Sequence, residues 1–254
     1  MDVLDELVPK LVELPGVIAV VLGGSRATGT QRPDSDWDIG VYYRGSFDAN
    51  LLAGLGYAGH VAQPGEWGRI INGGAWLSLQ NQSVDVLLRD LDVIEQWWEE
   101  VQTGHFEIDN VEGHLAGLPT YVPVGEIAIA HVLEGQLPEV FFPRKLQEVA
   151  ELRWRWNGAF SLLFAEQYAT SGDRTACVGQ LARAAMQTAH AVLASRAHWA
   201  LNEKRLIDRA DLAETHDIVA VAATDPPTAV SRMRKLLDPP RLDELAAHLP
   251  DQTT

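Results

Sequence analysis

The sequence predicts an α+β fold, in which a mixed sheet with flanking helices is followed by an all-helical bundle. Three observations support this prediction. Short apolar runs of strand type recur over roughly the first 90 residues, helical periodicity dominates after them, and Pro, Gly or Ser-Gly-Asp breaks separate the helical segments. A boundary near Leu118-Pro119-Thr120 divides the chain into predicted domains 1–118 and 119–254.

The N-terminal elements follow from local pattern. Residues 2–14 place apolar side chains at helical spacing and end at Pro15-Gly16, which predicts an amphipathic helix and a turn. Residues 17–22 form a continuous β-branched apolar run, as expected of a strand that is buried on both faces. Further strands are predicted at residues 36–43, 75–79 and 84–88, with a hairpin turn at 81–82 and a short helix within 49–58.

From about Asp90 onward the strand signals stop, and the chain is predicted to be helical. The predicted helices cover residues 91–102, 124–134, 144–170, 174–198, 203–213 and 228–237. This change of pattern is the basis for expecting a separate helical bundle.

The charge distribution restricts the possible partners. The chain has a formal net charge of -15, and residues 1–115 contain 18 Asp and Glu against 6 Lys and Arg. Nucleic-acid binding requires a surface rich in Lys and Arg, so this composition argues against it. The acidity favours a small or cationic partner, although solubility alone also accounts for a charge of this sign.

The expected location is the reducing cytoplasm. Cys177 is the only cysteine, which excludes an intramolecular disulfide. The acidic N-terminus lacks the pattern of a signal peptide, and no apolar run reaches about 18 residues, so we expect no membrane association.

Two aspartates form the first candidate site. Asp36 and Asp38 are separated by one residue in a predicted strand, so both carboxylates are expected on one face, with Trp37 on the other. Adjacent carboxylates repel each other unless a cation lies between them, and Mg²⁺ prefers oxygen ligands of this kind. Asp85 lies between two valines in a later strand, where an unpaired carboxylate is costly to bury. It is therefore expected to contact the same metal or a substrate proton.

A glycine-serine turn forms the second candidate site. Gly24-Ser25 follows the first buried strand and precedes a segment that can begin a helix. Unpaired backbone N–H groups at such a turn, together with the Ser25 hydroxyl, suit a phosphate, and Arg26 can supply countercharge. The turn and the carboxylates together predict a site for a metal-bound triphosphate.

These residues resemble the DNA polymerase β nucleotidyltransferase superfamily. The matching pattern is an apolar strand, Gly24-Ser25, ten intervening residues, Asp36 and Asp38 flanked by apolar residues, and Asp85 on a later strand. The resemblance covers roughly the first 90 residues. It implies that the first two acids hold two Mg²⁺ ions and that the third joins the metal site or acts as the base toward an acceptor hydroxyl.

The helical C-terminal half is similar in architecture to antibiotic nucleotidyltransferases that act on aminoglycosides and lincosamides. This similarity implies transfer of a nucleoside monophosphate, with ATP as the expected donor, to a hydroxyl of a small molecule, and a role in antibiotic resistance. It also implies that the helical half contributes to nucleotide binding, for which Lys204 is the candidate.

Three alternatives stay open. The acceptor can be a protein or a tRNA end, as in toxin-like relatives, or the chain can be a nucleotide-binding regulator without turnover.

Arg183 and His190 have the spacing of the ribonuclease pair in some HEPN domains, but this spacing arises easily in a helix. We favour a packing or polar-network role for them, because the chain lacks a basic RNA-binding surface.

Overall fold

The computed structural model describes residues 2–242, which form two compact units. The first unit comprises the chain up to Glu99 together with Pro119–Phe141, and the second comprises Glu100–Leu118 together with the chain from Phe142 onward. These bounds differ from the predicted domains 1–118 and 119–254, whose independence as folding units stays a prediction.

The first unit is built around a mixed sheet. Its strands are β1 (Val17–Leu22), β2 (Trp37–Tyr43), β3 (Ala58–Ala62), β4 (Gly73–Leu79), β5 (Gln82–Asp90) and β8 (His131–Gly135). Its helices are α1 (Val3–Val12), α2 (Gly24–Ala27), α3 (Asn50–Ala53), α4 (Gly68–Ile71) and α6 (Val122–Ile129), and α5 (Leu91–Gln102) follows β5. In the described residues the strand order is β3-β4-β5-β2-β1-β8, and the central pair, β2 and β5, is parallel while the other neighbours are antiparallel.

The two faces of this sheet have different side chains. Alternation along the strands sends one set of apolar residues to a core shared with α1 and α3. The buried sheet residues of this core include Ile39 and Val41 of β2, Ala75 and Leu77 of β4, and Val84 and Val86 of β5. The intervening residues lie on the opposite face, which is therefore the face of Asp38 and Asp85.

Helix α6 contributes the partly buried carboxylate of an ion pair to this opposite face. The guanidinium of Arg89, near the end of β5, is bonded by two nitrogens to the Glu126 carboxylate, with an Nη2–Oε1 distance of 2.9 Å. Arg89 also donates to the Ile71 carbonyl at 2.7 Å. Loss of the carboxylate would leave the buried charge of Arg89 uncompensated. The contact therefore holds α6 at the end of the face that carries the last residues of β5.

The second unit is mainly helical. Its long helices are α7 (Arg144–Ser171) and α8 (Arg174–Ser195), followed by α9 (Leu206–Arg209), α10 (Glu214–Ala222) and α11 (Pro226–Leu237). Asp173 begins α8 by accepting a hydrogen bond from the Ala176 N–H, and Gly172 ends α7 in the left-handed region. The strands β6 (Ile108–Asp109) and β7 (Leu118–Pro119) pair as a short separate ladder.

The predicted α+β fold class is confirmed, with a mixed sheet followed by the helical region α7–α11. Two local predictions were wrong. The predicted helix 124–134 ends at Ile129, and its last residues form the edge strand β8. Residues 203–213 contain only the short helix α9. The short helix predicted within 49–58 is present as α3, whereas the strand β3 was not predicted. None of the helices in residues 2–242 combines the length and apolarity needed to cross a bilayer.

Candidate active site

Two of the predicted acids are direct register partners. Asp38 in β2 and Asp85 in β5 are paired in the parallel ladder, between the pairs Trp37 with Val84 and Ile39 with Val86. Neighbouring strands lie about 4.8 Å apart, and paired residues project to the same face. Both aspartates are partly buried. The structure therefore brings the carboxylates of Asp38 and Asp85 together on one face of the sheet.

Asp36 lies just outside the sheet. The predicted strand began at Asp36, but β2 begins at Trp37, and the Asp36 side chain is exposed. The pairing of β2 with β5 also begins at Trp37. Asp36 is thus placed at the entrance of the strand, two residues before Asp38, and its predicted role as a metal ligand stays a prediction.

The glycine-serine turn lies directly against Asp38. Gly24 has a φ of +58°, and a Cβ placed on it would be 1.8 Å from Oδ2 of Asp38. The preceding residue, Gly23, donates its N–H to the Asp38 carbonyl at 2.8 Å. Only glycine combines this left-handed backbone with so close an approach. The turn and the first carboxylate of the pair are therefore parts of one site.

Arg26 holds the segment that leads into β2. Its Nη2 donates to the Ser35 carbonyl at 2.7 Å and its Nε to the Asp36 carbonyl at 3.1 Å. Its guanidinium carbon lies 4.0 Å from the centre of the Trp37 ring, and Trp37 in turn donates to Gln82 at 2.6 Å. These contacts link the turn to the Asp36–Asp38 segment and to the start of β5. The predicted contact of Arg26 with the nucleotide stays a prediction.

Lys204 belongs to the second unit, in the segment before α9. Its backbone N–H donates to Oδ1 of Asn202 at 2.9 Å, while the neighbouring Glu203 accepts from the N–H groups of Leu115 and Ala116. This segment is therefore held within its own unit. The contribution of Lys204 to nucleotide binding stays a prediction.

The donor set of the site fits Mg²⁺ in its chemistry. Mg²⁺ is usually bound by one or two carboxylates, with water and substrate phosphates completing its six ligands. The pair Asp38 and Asp85 beside a phosphate-type turn meets this requirement. Across residues 2–242 no three His, Cys, Asp or Glu side chains are grouped closely enough to hold a metal by themselves. An ion held by this pair would complete its ligands with water and substrate phosphates.

One feature of this face was missed from the sequence. Trp76 in β4 is the antiparallel partner of Asp85, and His60 in β3 is the partner of Trp76. The indole of Trp76 is 53% exposed, whereas the adjacent Ala75 and Leu77 are buried. Alternation in β4 was visible in the sequence, but the pairing that places Trp76 beside Asp85 was not.

A pocket of about 560 Å³ lies at the other end of the same strands. Its lining includes Tyr43 and Asp90, the last residues of β2 and β5, together with Trp97 of α5. Asp90 is five positions after Asp85 in β5, which corresponds to about 16 Å of extended chain. The pocket is therefore not part of the carboxylate site.

Arg183 and His190 do not form an accessible pair. His190 is completely buried and stacks on Trp154 with a centroid distance of 4.3 Å, whereas Arg183 is exposed. Within the described residues neither ring nitrogen of His190 has a hydrogen-bond partner, and burial lowers its pKa to about 3. A ribonuclease pair needs both side chains in contact with RNA, so this geometry supports the packing interpretation of His190.

Comparison with known proteins gives the class of the N-terminal part. Residues 4–107 match the family model of the nucleotidyltransferase domain. This match extends from α1 through α5, and it includes the turn and all three candidate aspartates. The chain therefore carries a nucleotidyltransferase domain, and the enzyme class predicted from the sequence is confirmed.

A solved structure resembles the chain over most of its length. It is the crystal structure of a nucleotidyltransferase-like protein from Exiguobacterium sibiricum 255-15, with 9% sequence identity and a TM-score of 0.46. The alignment covers 92% of this chain and 73% of that one. A search of curated proteins found no match to the sequence.

Proposed function

We propose that the protein is a Mg²⁺-dependent enzyme that transfers AMP from ATP to a hydroxyl of a small cationic molecule and releases pyrophosphate. The observation that carries this proposal is the register pair Asp38 and Asp85 beside the Gly24 turn, within a nucleotidyltransferase domain. The proposal includes action in the cytoplasm and a role in resistance to an aminoglycoside-type antibiotic.

Each residue of the site has a distinct task in this reaction. The backbone N–H groups of Gly24 and Ser25, with the Ser25 hydroxyl, bind the phosphates that leave. Asp36 and Asp38 would hold two Mg²⁺ ions, which would supply neutralisation of phosphate charge and a lower pKa of the acceptor hydroxyl, while Asp85 accepts the proton of that hydroxyl. Arg26 keeps the Asp36–Asp38 segment in place through the Ser35 and Asp36 carbonyls.

The transfer is an in-line displacement at the α-phosphorus. A bond forms between the acceptor oxygen and this phosphorus, and the bond from phosphorus to the pyrophosphate oxygen breaks. The acceptor proton passes to the carboxylate of Asp85 and then to water. The pyrophosphate remains on the side of the Gly24 turn until it dissociates.

The acidity of the N-terminal part supports a cationic acceptor. Residues 1–115 carry 18 acidic side chains against 6 basic ones, which attracts amines and repels a tRNA backbone. A labelling experiment distinguishes a protein acceptor from a small molecule. Incubation with labelled ATP and a cell lysate would label a macromolecular band if the acceptor were a protein.

The proposal is tested by pyrophosphate release in a screen of aminoglycosides and lincosamides against the four nucleoside triphosphates. We expect release with Mg²⁺, ATP and one acceptor, and its loss in the Asp38→Asn and Asp85→Asn variants. The matched control is Asp217→Asn, which removes an exposed carboxylate from α10. Full turnover in Asp38→Asn, or ATP binding without any release in the wild type, would contradict the proposal.

A further inference from the structure

The sheet face that carries the aspartates also carries an aromatic cluster. Successive register partners place four side chains in one row across neighbouring strands. The row runs from β3 to β2 as His60, Trp76, Asp85 and Asp38. With strands about 4.8 Å apart, the Cα atoms of Trp76 and Asp38 are separated by about 10 Å. The indole is therefore a direct neighbour of the carboxylate pair.

The cluster of Trp67, Trp76 and His60, here called the aromatic platform, is built from contacts within the first unit. The rings of Trp67 and Trp76 stack with centroids 4.7 Å apart and planes inclined by 19°. The His60 ring lies 5.8 Å from that of Trp76. Trp67 fits closely over the strand, because a Cβ on Gly74 would lie 3.2 Å from its Cζ3 atom. The exposed indole of Trp76 is thus held in a fixed orientation by its neighbours.

Single exposed apolar side chains are common and by themselves indicate no site. The position of Trp76 is informative because the reaction has an in-line geometry. An in-line displacement requires the attacking oxygen and the leaving pyrophosphate to be on opposite sides of the phosphorus. The turn that receives the pyrophosphate lies against Asp38, whereas Trp76 lies beyond Asp85. The acceptor must therefore approach from the side of Asp85 and Trp76.

We infer that the aromatic platform is the acceptor subsite and that it binds an amino-sugar ring, whose hydroxyl it presents to Asp85. The inference rests on the proposed function. A saturated sugar ring offers an apolar C–H face to the indole, and its ammonium groups are attracted both to the ring face and to the acidic surroundings. A nucleotide base stacked on the same indole is the competing occupant, and the binding of each ligand to Trp76 variants distinguishes the two.

The direct test is calorimetric binding of kanamycin, an amino-sugar probe, without nucleotide or metal. We expect Trp76→Ala and Trp76→Leu to weaken kanamycin binding by about tenfold and Trp76→Phe by less, since only Phe retains a π face. The control Phe160→Ala removes an exposed ring that stacks on Trp156 in the second unit, and it should leave the affinity unchanged. Thermal melting of each variant verifies folding.

Three results would overturn the inference. These are absence of kanamycin binding to the wild type, equal affinities of wild type and Trp76→Ala, and weakening of Mg²⁺–ATP binding in Trp76→Ala with kanamycin binding unchanged. The last result would assign the indole to the nucleotide base.

Kinetics separate this inference from the proposed function. In pyrophosphate release, Trp76→Ala should raise the KM for the acceptor about tenfold and leave the KM for ATP within twofold. A wild type that binds kanamycin through Trp76 but never releases pyrophosphate would refute the proposed reaction and support the subsite. Pyrophosphate release with an unchanged KM for the acceptor in Trp76→Ala would support the proposed reaction and refute the subsite.

Discussion

The contact between Gly24 and Asp38 makes a quantitative prediction for the variant Gly24→Ala. The added methyl carbon would lie 1.8 Å from Oδ2 of Asp38, whereas ordinary contacts begin at 3.4 Å. The carboxylate or the turn must therefore move by at least about 1.6 Å. Because a misplacement of about 1 Å in an active site can reduce the rate about 100-fold, we expect at least that loss of nucleotidyl transfer.

The matched control is Gly172→Ala. Gly172 also has a left-handed backbone, with a φ of +79°, but nothing lies within 4 Å of its Cβ position. Both variants carry the same strain of a non-glycine residue in this region, about 1–2 kcal/mol. Urea unfolding should therefore show this loss of stability in Gly172→Ala and at least as large a loss in Gly24→Ala, where the clash adds to it, while pyrophosphate release is lost only in Gly24→Ala. Equal activities of the two variants would refute a role for the close approach of Gly24 to Asp38.

Two further predictions concern Arg26 and His190. Arg26→Lys keeps the charge but loses the planar contacts with the Ser35 and Asp36 carbonyls and Trp37, so we expect kcat to fall about tenfold with the KM for ATP unchanged. A Lys variant with normal kcat would instead favour a simple countercharge to the triphosphate. The pKa of His190 is lowered from 6.5 to about 3, so the unfolded chain binds a proton below pH 6.5 that the folded chain excludes, and stability is lost as pH falls from about 6.5 to about 3. Between pH 7 and 5.5 this amounts to about 1 kcal/mol, since one pKa unit corresponds to about 1.4 kcal/mol. Urea unfolding measures it as the part of the pH dependence that disappears in His190→Leu and persists in the exposed-site control His216→Gln. Parallel pH profiles of wild type and His190→Leu would contradict the buried neutral histidine.

Much of the fold could be predicted because its signals are local. The strand β1 and the helices α7 and α8 were predicted to within three residues at each end, since an apolar run or helical periodicity is contained in the segment itself. The hairpin between β4 and β5 was predicted for the same reason, because its turn residues separate two adjacent apolar runs.

The edge strands could not be predicted in this way. His131–Gly135 forms β8 because it pairs with β1, more than 100 residues earlier in the chain, and its own sequence has no clear strand alternation. Ala58–Ala62 forms β3 by pairing with β4, despite the glycines around it. In both cases the backbone hydrogen bonds to a preformed neighbour decide the conformation, which local propensity does not describe.

The candidate site, too, could be predicted from the sequence only in part. The spacing of Asp36 and Asp38, the turn at Gly24-Ser25 and the isolated acid Asp85 are properties of the sequence, and they were sufficient to predict a triphosphate site and its enzyme class. Which residues face one another across strands is a property of the tertiary structure. Register is set by the packing of whole apolar faces, and it places Asp38 beside Asp85 and Trp76 beyond Asp85. The close approach of Gly24 to the Asp38 carboxylate likewise exists only in the folded chain.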